Sequence, residues 1–183
     1  MAGGTVVAAT DAQLSARPGV YALGLHLDRS LQLDVGALGK IAFPAGDYLY
    51  VGSAWGPGGL AARVQRHLRG GTVRRWHIDA LRAVATPVAL WLVPESREEC
   101  AWAQQLLALP GARIPAPRFG ASDCRCPTHL IFFETIPPAA TLLAGAQFVQ
   151  LNLNVPTYEG ADVGTWTRAN VCRGCDGSRL TAH

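Results

Sequence analysis

Lysine is nearly missing from this chain of 183 residues: Lys40 is the only one, so any basic surface must be built from arginine. Charged residues of both signs are scarce at 16%, against 49% apolar, a balance that fits a compact soluble fold rather than a disordered one. No apolar run approaches the ~20 residues that a bilayer crossing needs, so no membrane partner is expected. Residues 1–16 lack a basic start before their short apolar run, so no signal peptide is expected. Cysteine is sparse and odd in number, at five, which speaks against a secreted disulfide framework and for reduced thiols or metal ligands. A cytoplasmic location is the resulting expectation. The length suits one domain with a full core.

What the chain does have is organised around Tyr50-Val51-Gly52-Ser53-Ala54. Residues 47–51 alternate as a strand, with Tyr48 and Tyr50 on one face and Leu49 and Val51 on the other. Gly56-Pro57-Gly58-Gly59 ends it. From Leu60 the period changes: Leu60, Val64 and Leu68 recur every four residues as the buried stripe of a helix. Arg63 and His67 sit one turn apart at the edge of that stripe, near the end of the Tyr50 strand. A phenol, a guanidinium and an imidazole are thereby brought together.

Upstream, residues 1–17 read as a loose arm. Pro18-Gly19 opens a strand over 20–27, with Tyr21, Leu23, Leu25 and Leu27 on one face. Short strands follow at Leu31 to Val35 and before Phe43. Four short strands joined by tight turns predict an antiparallel sheet. Downstream, the pattern predicts a helix over 74–84 with His77, Ala80, Leu81 and Val84 on one face, a buried strand over 88–93, and a helix over 96–109. A loop over 110–120 leads to Asp123-Cys124-Arg125-Cys126-Pro127-Thr128-His129 and a strand over 130–133. Pro137-Pro138 marks an expected domain end, giving a domain over 18–136 and an extension over 137–183 with a helix near 141–150. The fold class is α/β (α+β): a small, mainly antiparallel sheet flanked by helices.

Two features carry chemistry. Arg63, Arg66, Arg69, Arg74, Arg75 and Arg82 fall within twenty residues, joined by His67 and His77, with Asp79 the only acid among them. They form either a solvated helix face or a phosphate-binding one, since guanidinium forks grip phosphate oxygens bidentately. Arg66, Arg69, Arg74, Arg75 and His77 are the nucleic-acid-binding candidates. The second feature is Glu99, which falls inside the apolar stripe Cys100, Ala103, Leu106 and Leu107. A buried carboxylate is costly unless it is paired or bound to a cation. Ser96-Arg97-Glu98-Glu99 also fits a capping box, in which Glu99 folds back on Ser96. Both roles stay open.

With Gly19-Val20-Tyr21, Tyr50-Val51-Gly52, Arg63, His67 and Glu99 in this order, the chain resembles the GIY-YIG nuclease superfamily over residues 18–133. Residues 50–68 and the Asp123-Cys124-Arg125-Cys126 segment look like a small branch of it, found alone or attached to endonuclease III-like repair enzymes. Both tripeptides carry valine where the superfamily name has isoleucine. The resemblance implies an endonuclease that hydrolyses DNA phosphodiester bonds, with duplex or branched DNA as partner, DNA repair as a setting and a repair enzyme as a docking partner. It implies that Glu99 holds one Mg2+ (or Mn2+) ion, that Tyr21 helps activate the attacking water and that Tyr50 hydrogen-bonds water or phosphate. Arg63 would stabilise transition-state charge, and His67 would assist positioning or proton transfer. A phenol titrates near ~10, so Tyr21 can act as a base only if its surroundings lower that value.

The cysteines leave two readings. Cys124, Cys126 and His129 could bind zinc together with Cys172 and Cys175 if the tail folds back, leaving Cys100 as a small buried residue. Otherwise Cys124 and Cys126 shape a tight loop and the tail cysteines stay free. The nuclease expectation thus stands beside a non-catalytic nucleic-acid-binding module of the same fold and a zinc-stapled interaction domain.

Overall fold

A computed structural model describes residues 14–69, 75–138, 142 and 146–150, the last four as backbone only. The sheet is built on β1 (Gly19–Leu27), its middle strand, in the order β6-β4-β1-β5-β7. Every pairing is antiparallel: β1 lies between β4 (Gly46–Ser53) and β5 (Thr86–Pro94), β6 (Leu130–Phe133) flanks β4, and β7 (Gln147–Gln150) flanks β5. The expected α/β class is therefore found.

The four early strands do not form one meander. β2 (Leu31–Asp34) and β3 (Lys40–Phe43) pair only with each other, as a separate hairpin, and the chain then returns to lay β4 beside β1. Alternation explains the difference. β2 and β3 are half-exposed and present one apolar edge, Leu31, Leu33, Ile41 and Phe43, as a cover for the sheet. β1 is apolar on both faces and has to lie in the middle.

Each face of the sheet has its own core. Tyr21, Leu23, Leu25 and Leu27 with Tyr48 and Tyr50 pack under the hairpin, α1 (Gly59–Arg69) and α2 (His77–Arg82). Val20, Ala22, Leu49, Val51 and Trp91 pack under α3 (Glu99–Leu107) through Trp102, Ala103 and Leu106. The predicted strand faces hold. The 74–84 helix is shorter than expected, and Val84 is exposed rather than facing the core. Where a helix was expected near 141–150, residues 147–150 form β7. β5 offers an unpaired edge there, and a strand satisfies it.

Residues 14–17 are docked rather than loose. The carbonyls of Ser15 and Arg17 accept the N–H groups of Ala61 and Leu60, satisfying donors that the first turn of α1 leaves without helical partners. At the other end, Arg82 donates to the carbonyls of His67 (2.7 Å) and Leu68 (2.9 Å), the unpaired acceptors of α1. Among the described residues no helix is long and apolar enough to cross a membrane.

Candidate functional site

Strand register builds the site. β1 sets Tyr21 opposite Gly52 and Leu23 opposite Tyr50, so both tyrosines stand on the same face, with ring centroids 6.4 Å apart. Gly52 is required there: a Cβ at this position would lie 2.5 Å from the Tyr21 hydroxyl oxygen. α1 follows β4 after a short turn and lowers His67 onto the pair. Tyr21 Oη and His67 Nε2 are 2.8 Å apart in a buried hydrogen bond. Burial pushes His67 down to about 4, against the opposing pull of Asp79, so the imidazole is neutral at pH 7 and accepts the phenol's hydrogen. Burial first, then Tyr50, raises Tyr21 well above the usual phenol range. Arg63 pulls the other way and does not win.

Tyr21, Tyr50, Arg63 and Glu99 line one cleft of about 300 Å³, with Arg75, Trp76, His77 and Asp123 also on its wall. Gly120 closes the wall with φ +72, and a Cβ there would lie 2.9 Å from the Tyr50 ring. Its N–H donates to His77 Nδ1 at 3.1 Å. The arginines divide into two groups. Arg63 and Arg75 reach the cleft. Arg66 forks onto Asp79 at 3.1 and 3.2 Å and stacks on Trp76, 3.8 Å from its centroid. Arg69 lies on the surface beside Gln65, and Arg74 lies outside the described residues. Asp79 also accepts from the backbone N–H groups of Arg75 and Trp76; burial pushes its carboxyl up, but the Arg66 fork and then these backbone bonds hold it below the usual range. Its Oδ1 lies 3.9 Å from the otherwise unpartnered Nδ1 of His67.

Glu99 is not engaged in a capping box. Ser96 Oγ accepts the N–H of Glu98, and no side chain caps α3. The Glu99 carboxylate instead faces His129, with Oε1 3.2 Å from Nδ1. His129 Nδ1 is buried and has no well-aligned acceptor, so Glu99 is its counterpart by proximity and charge. Burial works against charging His129, but the Glu99 contact outweighs it and raises the imidazole's pKa.

Beyond His129 lies a second constellation. Cys100 Sγ, Cys124 Sγ, Cys126 Sγ and one His129 nitrogen all fall within 4.8 Å of one another, a set that could hold a metal ion. His129 Nε2 faces the sulfurs, 3.4 Å from Cys124 and 3.8 Å from Cys100. Cys100 is thus not a spare core residue but the fourth member, supplied by the first turn of α3. Cys172 and Cys175 lie outside the described residues. The contact with Cys126 and then burial push the Cys100 thiol up to about 12, whereas the Cys124 thiol is lowered: burial raises it, but its contacts with Cys126, Cys100 and His129 outweigh that.

A model of the domain of unknown function DUF123 matches residues 20–148, most of the chain and the whole of this site. The chain belongs to the DUF123 family. No curated protein and no solved structure matches it significantly. For this DUF123 chain the functional reading therefore rests on its own residues. Spacing brought Tyr50, Arg63 and His67 together, the apolar stripe of α3 singled out Glu99, and the GIY-YIG resemblance added Tyr21; Tyr21, Tyr50, Arg63 and Glu99 line one cleft, with His67 behind Tyr21. Spacing missed Trp76, Asp79 and Asp123, whose roles depend on tertiary approach. It also missed Cys100, for which an odd cysteine in the first turn of a helix was the available signal.

Proposed function

We propose that this chain is a metal-dependent endonuclease of the GIY-YIG type, acting on DNA. The observation that supports the reading best is the convergence of Tyr21, Tyr50, Arg63 and Glu99 on one cleft, with Tyr21 hydrogen-bonded to a neutral His67. Such a cleft can take a phosphodiester: guanidinium at the phosphate oxygens, phenol hydroxyls at the water, carboxylate at a cation.

Tyr21 is too deeply buried to ionise on its own. Its hydrogen bond offers another route. The Tyr21 oxygen accepts a proton from the attacking water while its own proton passes to His67 Nε2. The water oxygen bonds to phosphorus and the ester P–O bond breaks, its electron pair staying on the leaving oxygen, which takes a proton from solvent at the open side of the cleft. His67 then carries the positive charge and faces Asp79. Tyr50, 8% exposed, orients water or a phosphate oxygen at the mouth. Arg63 is held 4.3 Å from the Trp76 ring centroid, so the guanidinium is stacked before substrate arrives, and it meets the charge that builds on phosphate.

Beside the His77 imidazole the cleft carries two carboxylates, Glu99 and Asp123, which are hard oxygen donors. These fit Mg2+ or Mn2+, which would supply Lewis-acid stabilisation of the phosphate. The soft cluster behind it fits zinc. Tetrahedral zinc with Zn–S of about 2.3 Å and Zn–N of about 2.0 Å sets sulfur and nitrogen about 3.5 Å apart, against the 3.4 and 3.8 Å found.

The test is cleavage of labelled duplex, branched and single-stranded DNA in Mg2+ or Mn2+, with wild type beside Tyr21→Phe, Arg63→Ala and Glu99→Gln. Metal-dependent cutting that all three substitutions abolish is expected. Equal DNA binding by wild type and Glu99→Gln, with no cutting of any substrate, would leave a non-catalytic binding module.

A further inference from the structure

One side chain of the cysteine cluster, His129, touches the cleft carboxylate Glu99, and its contacts are directional. His129 turns Nε2 toward Cys100 and Cys124 and turns Nδ1 toward Glu99, 3.2 Å away. A metal on Nε2 forces the hydrogen onto Nδ1, where Glu99 is the only carboxylate within ion-pair distance among the described residues. The imidazole cannot turn away. The ring is 1% exposed, and the backbone that carries it is pinned: the His129 amide N–H donates to the Phe119 carbonyl at 2.8 Å and the His129 carbonyl accepts the Val51 N–H at 2.9 Å. Glu99 and Cys100 are neighbours in the first turn of α3, so a metal that holds Cys100 also holds the backbone that carries Glu99.

We propose that zinc bound by Cys100, Cys124, Cys126 and His129 is a clamp that positions Glu99 in the cleft, so that zinc occupancy controls the divalent-cation site on which cleavage depends. This rests on the nuclease reading for its consequence, but the coupling itself is a property of binding. By linkage, if zinc favours the Glu99 position that takes Mn2+, each metal must strengthen the other. His129 is then a positioning residue, and zinc takes no part in the chemistry.

The experiment uses the full chain and two readouts that need no DNA. Zinc affinity is titrated against a chromophoric chelator for wild type, Glu99→Ala and Glu99→Gln. Mn2+ binding is followed by electron paramagnetic resonance in zinc-loaded, zinc-stripped and zinc-restored wild type. One zinc per chain is expected, absent from Cys124→Ser. Removing the carboxylate in Glu99→Ala should weaken zinc ~10–100-fold, the usual effect of losing a partner behind a ligating histidine. Glu99→Gln, which keeps an acceptor oxygen, should lose less. Stripping zinc should weaken Mn2+ binding ~10-fold, and returning it should restore the affinity.

Unchanged zinc affinity in Glu99→Ala overturns the clamp, as does Mn2+ binding that is indifferent to zinc. If the stripped chain unfolds, the Glu99→Ala titration decides alone, since it is made on loaded protein. A chain that shows both couplings but cuts no DNA retains the clamp and loses the nuclease reading. A chain whose cutting survives zinc removal retains the nuclease and loses the clamp. Absence of Mn2+ binding in every form removes both.

Discussion

Tyr21 and His67, 46 positions apart in sequence, meet in a buried hydrogen bond of 2.8 Å. The bond joins the middle strand of the sheet to the helix over it, so it serves the fold and the cleft at once. Tyr21→Phe leaves His67 Nε2 buried without its donor, at a cost of about 1–3 kcal/mol. In the proposed mechanism it also removes the oxygen that takes the water's proton, so cleavage should fall ~100-fold or more. DNA affinity should hardly change, because the phenol binds no phosphate in the ground state. Denaturant melts, single-turnover cleavage and equilibrium binding on the same preparation separate the three effects. A large loss of affinity would move Tyr21 from the chemistry to substrate binding.

His67 also makes a pH prediction. Its folded-state value, about 4, lies below the 6.5 of a free imidazole. Between those values the unfolded chain binds a proton that the folded chain does not, so stability must rise with pH across that window. Going down, the stabilisation present above about 6.5 is lost steadily until about 4. The full loss is of order 3 kcal/mol at ~1.4 kcal/mol per unit. Asp79 loses stabilisation in the same direction at the acid end, since its folded value is also depressed. His67→Gln isolates the imidazole: wild-type stability minus that of His67→Gln should fall by about 3 kcal/mol from pH 6.5 to pH 4 and stay level above that window. Parallel curves would mean that the His67 imidazole takes up its proton alike in the folded and the unfolded chain.

Much of this architecture was legible in the chain. Alternation over 47–51 assigned both faces of β4, and the four-residue recurrence from Leu60 assigned the buried side of α1. Those two periods suffice to bring Tyr50, Arg63 and His67 together. What alternation cannot express is which strand pairs with which. β2 and β3 read like β1 and β4 locally, and only the double-sided burial of β1 separates them. Ser96 and Glu99 had the spacing of a capping box, yet a stronger partner, His129, wins the carboxylate from thirty residues away. Cys100 shows the same limit: a ligand set completed across the fold leaves no spacing to read.

Asp79 reads as a lone acid in a basic stretch, but its structural role is larger than that. It pairs with the Arg66 fork and accepts the N–H groups of Arg75 and Trp76, thereby fixing the start of α2 and the indole on which Arg63 rests. Asp79→Ala should destabilise by about 2–3 kcal/mol, since several charge-assisted bonds go at once. Arg66→Ala, which leaves the backbone bonds in place and whose side chain is 34% exposed, should cost only about 1 kcal/mol. Equilibrium unfolding ranks the two. Equal costs would show that the backbone bonds contribute nothing.

The same division of the arginines predicts salt behaviour. Arg75 is exposed at the rim of the cleft, whereas Arg66 is engaged with Asp79. DNA affinity should fall steeply with salt, and Arg75→Ala should reduce the slope of log K against log salt by about one. Arg66→Ala should leave the slope nearly unchanged in protein that remains folded. Titrations at four salt concentrations suffice. If Arg66→Ala lowers the slope as much as Arg75→Ala, the Asp79 fork opens on binding and the guanidinium goes to phosphate.

Gly52 offers the sharpest probe, because the change is one methyl group with no charge and no hydrogen bond of its own. A Cβ there would stand 2.5 Å from the Tyr21 hydroxyl oxygen and 2.6 Å from the ring carbon that bears it. The ring is 2% exposed and cannot swing aside freely, so strain falls on the bond to His67. Gly52→Ala should cost about 1–3 kcal/mol by overpacking and should lower cleavage nearly as far as Tyr21→Phe does. A double-mutant cycle identifies the cause. In a Tyr21→Leu background the methyl has room, so most of its stability cost should vanish, giving a coupling of about 1 kcal/mol or more. Additive costs would instead locate the strain in the backbone pairing of β1 with β4, and the phenol would be no more than a neighbour of the glycine.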